Sequence, residues 1–227
     1  MTYLIMDKMN RHEQKFLKIF DNKFKNLKKN FTILEFGVSE KALSTSIFLK
    51  KCKKKNGKLF SIDINDYNYH FKSKNWKFLC TRDDNYKYIE RNIPKKFDII
   101  YLDTIHAAYH VKKILYYYFN KLKKDGVFVI DDISHMPYLR NREKNNFPLE
   151  INNQETFEIL LEILNVNHEN IQLDFSFIGT GVAKITKLNN LKLKEPKNIN
   201  SRKFTLQNLL RKIFIYFRKK FKNSNLY

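Results

Sequence analysis

The chain has 227 residues, of which 43% are hydrophobic, and it carries a formal net charge of +21. This length fits one domain with short appendages, and the apolar content supplies a core, which excludes a wholly disordered chain. Two cysteines, Cys52 and Cys80, exclude a disulfide framework and read as buried free thiols, and no stretch reaches the roughly 18–20 apolar residues of a membrane span.

Residues 7–29 carry Phe16, Leu17, Phe20, Phe24 and Leu27 among Lys and Asn, a spacing that predicts an amphipathic leading helix in segment 1–30. Residues 31–36 form an apolar run that ends at Gly37, a strand followed by a turn. A helix over 43–54 is closed by Gly57, and the next strand covers 58–63. A third strand at 76–80 leads to a short helix at 84–91, and a fourth at 97–102 leads to a helix at 107–122. Asp125-Gly126 turns the chain into a fifth strand, 127–130. Near-continuous apolar strands separated by helices mean a parallel sheet covered on both faces. After a polar loop at 134–152 and a helix at 153–164, the alternating runs 171–178 and 182–186 flank Gly179-Thr180-Gly181 as a hairpin. The expectation is a doubly wound α/β domain at 31–188, with a mostly parallel seven-stranded sheet that ends in an antiparallel hairpin. Residues 189–203 then read as a linker, and 204–227 as a basic amphipathic helix.

In such a sheet, ligands bind beyond the carboxyl ends of the strands, where the strand order reverses. The residues at those ends are polar. After the first strand, Gly37 allows a sharp turn and a close backbone approach, but Ser39 and Ala42 stand where a dinucleotide fingerprint has further glycines. Asp63 ends the second strand, where a carboxylate either accepts from both ribose hydroxyls or caps the segment that follows. Asp83, after the third, either meets an adenine amino group or caps the next helix. Asp103 follows the fourth strand, and Asp131 and Asp132 follow the fifth. Adjacent strands lie about 5 Å apart, so these carboxylates crowd unless a divalent cation, a Lys or Arg, or solvent relieves them. His106, expected on the first turn of the following helix, is either a general base or a packing residue; His110 and His135 are weaker candidates.

Taken together, these segments resemble the class I S-adenosylmethionine-dependent methyltransferases, of the small-molecule O-methyltransferase-like, methyltransferase family 24 type. Ile33-Leu34-Glu35-Phe36-Gly37-Val38-Ser39 resembles the first cofactor motif, and Asp63 occupies the ribose-binding position. The run Phe97 to Asp103 with His106 resembles an "FD-hydrophobic-DxxH" segment. Lys124-Asp125-Gly126 through Asp131-Asp132 resembles a "pGG…DD" segment, and 178–183 the final hairpin. The resemblance covers about residues 30–187 in the correct order. It implies a Rossmann-like fold and S-adenosylmethionine bound by Glu35, Phe36, Gly37, Ser39, Asp63, Asp83 and Asp103. The layout is also similar to the divalent-metal O-methyltransferases of the catechol type, which implies Mg2+ at Asp103, Asp131 and Asp132. The base of that group is a lysine three positions after the first ligand; here His106 stands there, and Asp103 and His106 are the implied catalytic pair.

The implied reaction is O-methylation of a small hydroxylated molecule such as a sugar or glycan precursor, in the cytoplasm. Loop 134–152, with Arg140, Arg142 and Lys144, is expected to cover the acceptor and to favour an anionic one. The cationic excess opens an alternative, RNA methylation or RNA binding. That excess is mostly Lys, spread along the chain with abundant Asn, Ile, Phe and Tyr, which is what codon usage in an AT-rich genome produces. An N-P-P-Y-type motif and a recognisable RNA-binding module are both missing, so nucleic acid is not the expected partner. A relative that keeps the fold without catalysis, or with hydroxylase-like chemistry, is a third reading. In the last segment Leu206, Leu209, Leu210, Ile213, Phe214, Phe217 and Phe221 trace one helical face, with Arg211, Lys212, Arg218, Lys219 and Lys222 largely off it. Such a face suits the chain's own domain, a homodimer partner or an anionic membrane surface.

Overall fold

A computed structural model describes residues 11–133, 147–177 and 180–196, with six helical positions between 206 and 217. The elements in chain order are α1 (Arg11–Asn26), β1 (Thr32–Phe36), α2 (Leu43–Lys55), β2 (Lys58–Asp63), β3 (Trp76–Cys80), α3 (Tyr86–Asn92), β4 (Phe97–Leu102), α4 (Ala108–Phe119), β5 (Leu122–Asp131), α5 (Phe147–Asn167), β6 (Ile171–Ser176) and β7 (Val182–Lys187). They form one seven-stranded sheet in the order β3-β2-β1-β4-β5-β7-β6. β1 to β5 run parallel, and β7 lies antiparallel between β5 and β6. This is the expected doubly wound, mostly parallel sheet ending in a hairpin. The order reverses between β1 and β4, where Phe36 is level with both Ile62 and Leu102. The residues that follow these three strands therefore emerge side by side.

Alternation along the strands divides the core into two layers. Leu34, Phe36, Ile100 and Phe128 face α3, α4 and α5, where they meet Ile89, Ile114, Tyr118 and Ile163. Ile33, Ile99, Tyr101 and Val129 face α1 and α2. Phe20 and Phe24 of α1 close on Phe48 of α2 with ring centroids 5.4 and 6.2 Å away, and Phe48 reaches Tyr101 at 5.5 Å. The leading helix is thus built into the core. Lys55 fixes its end by donating from Nζ to the carbonyls of Phe24, Lys25 and Leu27, the acceptors a helix C-terminus leaves open.

Several boundaries differ from the sequence expectation. β5 begins at Leu122, because Asp125 takes a left-handed φ of 61° and the pairing with β4 shifts register instead of turning the chain. α4 begins at Ala108 and ends at Phe119, so His106 precedes that helix rather than lying on its first turn. α5 begins at Phe147, inside the stretch expected to be loop; Pro148 is compatible with a first helical turn, where its missing N–H is not needed. The expected loop residues Arg140, Arg142 and Lys144, and His135, lie outside the described residues. Cys52 is buried as expected, but Cys80 is exposed.

The stretch expected to begin a linker is held to the domain by asparagines. Asn189 Nδ2 donates to Asn170 Oδ1 at 2.8 Å, and Lys194 N donates to Asn167 Oδ1 at 2.8 Å. Residues 195–227 form a second compact unit, in which Leu206, Leu209, Leu210, Ile213, Phe214 and Phe217 are helical and exposed. Among the described residues no helix is long and apolar enough to cross a membrane.

Truncating Phe48, which has no exposed surface, removes the ring on which α1, α2 and β4 converge. Phe48→Ala is expected to lower stability by about 3–5 kcal/mol. Urea denaturation followed by tryptophan emission measures this, and a loss below about 1 kcal/mol would show that α1 does not share this core.

Candidate active site

The site is set by how closely the ends of β1 and β4 approach. Gly37 has φ 91°, and a Cβ there would stand 1.9 Å from the Asp103 carbonyl oxygen. Asp103 N donates to Phe36 O at 2.9 Å, and Gly37 N donates to Ile62 O at 2.9 Å, so three strand ends are joined through the one peptide group between Phe36 and Gly37. The close approach expected of Gly37 is thus made, within the chain itself, to Asp103. Ser39 and Ala42 also adopt left-handed φ values, 60° and 45°. Non-glycine residues thus take a glycine-type backbone here, at a conformational cost of roughly 1–2 kcal/mol for each such residue.

Asp63 Oδ2 accepts from Val38 N at 2.8 Å and lies 3.4 Å from Ser39 N, while its Oδ1 accepts from Asn65 N at 2.9 Å. The carboxylate therefore anchors the β1 loop, and two oxygens with about four acceptor positions between them still offer room for a further donor. Asp83 does not cap α3, whose N-cap is Asn85. It is 6% exposed, and its Oδ2 meets His110 Nε2 at 2.7 Å and accepts from Thr104 Oγ1 at 2.6 Å. Asp63, Asp83 and Asp103 line one cleft of about 260 Å³ with Gly37, Ile62, Ile64, Ile105 and Arg82, whose Nε lies 3.0 Å from Asp84 Oδ1. Of the seven expected cofactor residues, Gly37 and these three carboxylates border that cleft; Ser39 is exposed at the loop and Phe36 is buried against Tyr118, ring centroids 4.7 Å apart.

Glu35 lies in the core. It is completely buried on the α2 side of the sheet and accepts from Ser61 Oγ at 2.6 Å. Burial pushes its carboxyl up to about 7 from an ordinary 4.5, against the pull of the Ser61, Ser44 and Thr45 hydroxyls.

Beside the cleft, ligand atoms of Asp103, His106 and Asp132 lie within 4.8 Å of one another. His106 Nε2 is 3.7 Å from Asp103 Oδ1 and 3.5 Å from Asp132 Oδ2. Asp131, expected in this set, is held apart from it. Its Oδ2 accepts from the Tyr101 hydroxyl, and its Oδ1 accepts from Asp132 N at 2.7 Å and lies 3.4 Å from Thr180 Oγ1. The Tyr101 hydroxyl is also 3.3 Å from Asp103 Oδ2. Burial and the two neighbouring aspartates hold it well above the usual phenol range, so it stays a neutral donor between two carboxylates. Tyr101 was not singled out by sequence reasoning; strand β4 brings it level with Val129, two residues before Asp131.

No family model matches the chain, and neither does any curated protein. Solved structures do. The MycE methyltransferase of mycinamycin biosynthesis, in complex with Mg, S-adenosylhomocysteine and mycinamycin VI, is 21% identical with a TM-score of 0.56 over 77% of this chain and 50% of its own. The present chain thus spans about half the length of that protein. The S-adenosylhomocysteine-bound methyltransferase PaMTH1 of Podospora anserina is 14% identical, with a TM-score of 0.55 over 83% of this chain and 81% of its own. The likeness is one of fold: the chain has the Rossmann-like architecture of class I S-adenosylmethionine-dependent methyltransferases.

Two predictions follow from these local geometries. Gly37→Ala is expected to cost more than about 2 kcal/mol, since it combines a left-handed φ with a collision against backbone, whereas Ser39→Gly gains about 0.5–1 kcal/mol by removing strain. Equal effects of the two substitutions in thermal unfolding would contradict this loop. For Glu35, the native state keeps its proton to about pH 7 while the unfolded chain loses it near 4.5. The native state binds more protons across that window, so this group's contribution to stability declines as pH rises from 4.5 through 7. At about 1.4 kcal/mol per pKa unit the full decline is about 3 kcal/mol. Glu35→Gln should flatten it, giving a variant that gains relative stability at pH 8 but not at pH 4.5, as read from urea midpoints.

Proposed function

We propose that the chain is an S-adenosylmethionine-dependent methyltransferase that transfers the methyl group to the hydroxyl oxygen of a small molecule. The observation that carries this reading is the double position of Asp103, which borders the cleft and also belongs to the Asp103–His106–Asp132 cluster. A methyl donor in the cleft and a hydroxyl at the cluster would meet at one residue. The cleft fits a cationic nucleoside: three carboxylates offset a sulfonium charge, and isoleucines give the adenine apolar contact. Asp63 would take the ribose, and Asp83, held by His110 and Thr104, would take a polar edge of the base. Methyl transfer from a sulfonium then asks mainly for alignment and an ionised nucleophile.

The cluster also fits a divalent cation, since Asp103 and Asp132 present oxygen donors from two strand ends. Bound there, Mg2+ would supply Lewis-acid stabilisation of an alkoxide. Asp131 does not join this set, because its oxygens face Tyr101, Thr180 and the Asp132 amide. His106 stands beside both carboxylates and would accept the hydroxyl proton at Nε2. The two aspartates then stabilise the imidazolium that results.

Calorimetry with S-adenosylmethionine, with and without Mg2+, tests the reading, together with methyl transfer from labelled S-adenosylmethionine to a panel of glycosides and catechols. The expected result is cofactor binding that Asp63→Ala weakens at least about tenfold, the loss of about 1.4 kcal/mol of hydrogen bonding. His106→Ala should keep cofactor affinity and lose about 10²–10⁴-fold in transfer. A chain that binds no S-adenosylmethionine at millimolar concentration would overturn the proposal.

A further inference from the structure

We propose that the unit formed by residues 195–227 is a peripheral anchor that lays one helical face into an anionic lipid surface. Leu206, Leu209, Leu210, Ile213 and Phe214 are helical and between 46% and 73% exposed. Their spacing of three and four residues puts them on one side of the helix. A folded domain seldom offers water a continuous strip of Leu, Ile and Phe without something to receive it.

Charge identifies the receiver. Residues 195–227 contain nine Lys or Arg and a single acidic residue, Glu195, whereas the whole chain has 44 basic and 23 acidic residues. Codon bias toward lysine raises basic content everywhere; it does not explain why acidic residues vanish from one segment. By sequence spacing Arg211, Lys212, Arg218, Lys219 and Lys222 fall away from the apolar strip. Such a helix matches a lipid interface, where acyl chains take the apolar side and anionic headgroups meet the cations. RNA would use the cations but has no need of an aliphatic strip, and a second copy of this segment would bring like charges together. This inference does not depend on the methyltransferase reading, because it concerns the other unit of the chain.

The test is sedimentation of the full chain with vesicles of phosphatidylcholine alone and of phosphatidylcholine with 30% phosphatidylglycerol. The expected result is binding to the anionic vesicles, at least tenfold weaker on neutral ones and weakened by 0.5 M salt. Ile213→Ser/Phe214→Ser should lose at least tenfold while the domain's thermal unfolding stays unchanged, and Arg211→Gln/Lys212→Gln should lose severalfold. Binding that is equal on both vesicles, or unaffected by the serine pair, overturns the proposal. So does a dimer in sedimentation equilibrium that the serine pair dissolves, or RNA binding that survives it while vesicles are ignored.

Discussion

The contact on which the site depends is between two backbones, at Gly37 and Asp103. With no Cβ at Gly37, the carbonyl of Asp103 can occupy space that any other residue would fill. The paired hydrogen bonds from Asp103 N to Phe36 O and from Gly37 N to Ile62 O lock the ends of β4, β1 and β2 into one frame. That frame fixes where the side chains of Asp63 and Asp103 begin. Asp63 then returns the constraint by holding the Val38 amide, so the start of the loop after β1 is tied to the end of β2. The strain at Ser39 and Ala42 is the counterpart: a loop pinned this tightly keeps its left-handed turns whichever residues occupy them.

Pinning the strand ends concentrates negative charge, and the structure spreads it over several partners. Asp63 faces backbone amides, Asp83 faces His110 and Thr104, Asp131 faces the neutral Tyr101 hydroxyl, and Asp103 and Asp132 share His106. These partners are mainly amides, hydroxyls and imidazoles, which satisfy the hydrogen bonds of the carboxylates. Three carboxylates and one cation, Arg82, which is paired with Asp84, line the cleft of a chain whose net charge is +21.

The sheet was legible because its strands are short apolar runs bounded by turns, a pattern that burial on both faces enforces. Boundaries were less so. Asp125-Gly126 carries the usual signal of a turn, but a register shift against β4 absorbs it inside a strand. The asparagines that hold 189–194 were invisible, because their partners Asn167 and Asn170 come near only through the packing of α5 and β6. In the site, the residue types at strand ends pointed to Asp63, Asp83 and Asp103 at one edge. The pairings did not follow, since Tyr101 meets Asp131 and Asp83 meets His110 across about 30 residues, 30 and 27, through strand register and helix placement. Glu35 shows the reverse limit. Its motif position suggests a ligand contact, while the alternation of β1 sends it to the α2 face and into the core.

That displacement has a consequence for how the site is held. A carboxyl buried beneath the β1 loop and uncharged below about pH 7 can accept and donate hydrogen bonds at once, and here it accepts from Ser61 of β2. Ionisation would place a second negative charge near Asp63 on the same pair of strands. The electrostatic state of Glu35 is therefore coupled to that of the cleft through Asp63. A cation in the cleft would make the local potential more positive and Glu35 easier to ionise, and by linkage an ionised Glu35 would bind that cation more tightly. The first acidic residue of the motif thus lies behind strand β1, on the α2 side of the sheet, and does not border the cleft.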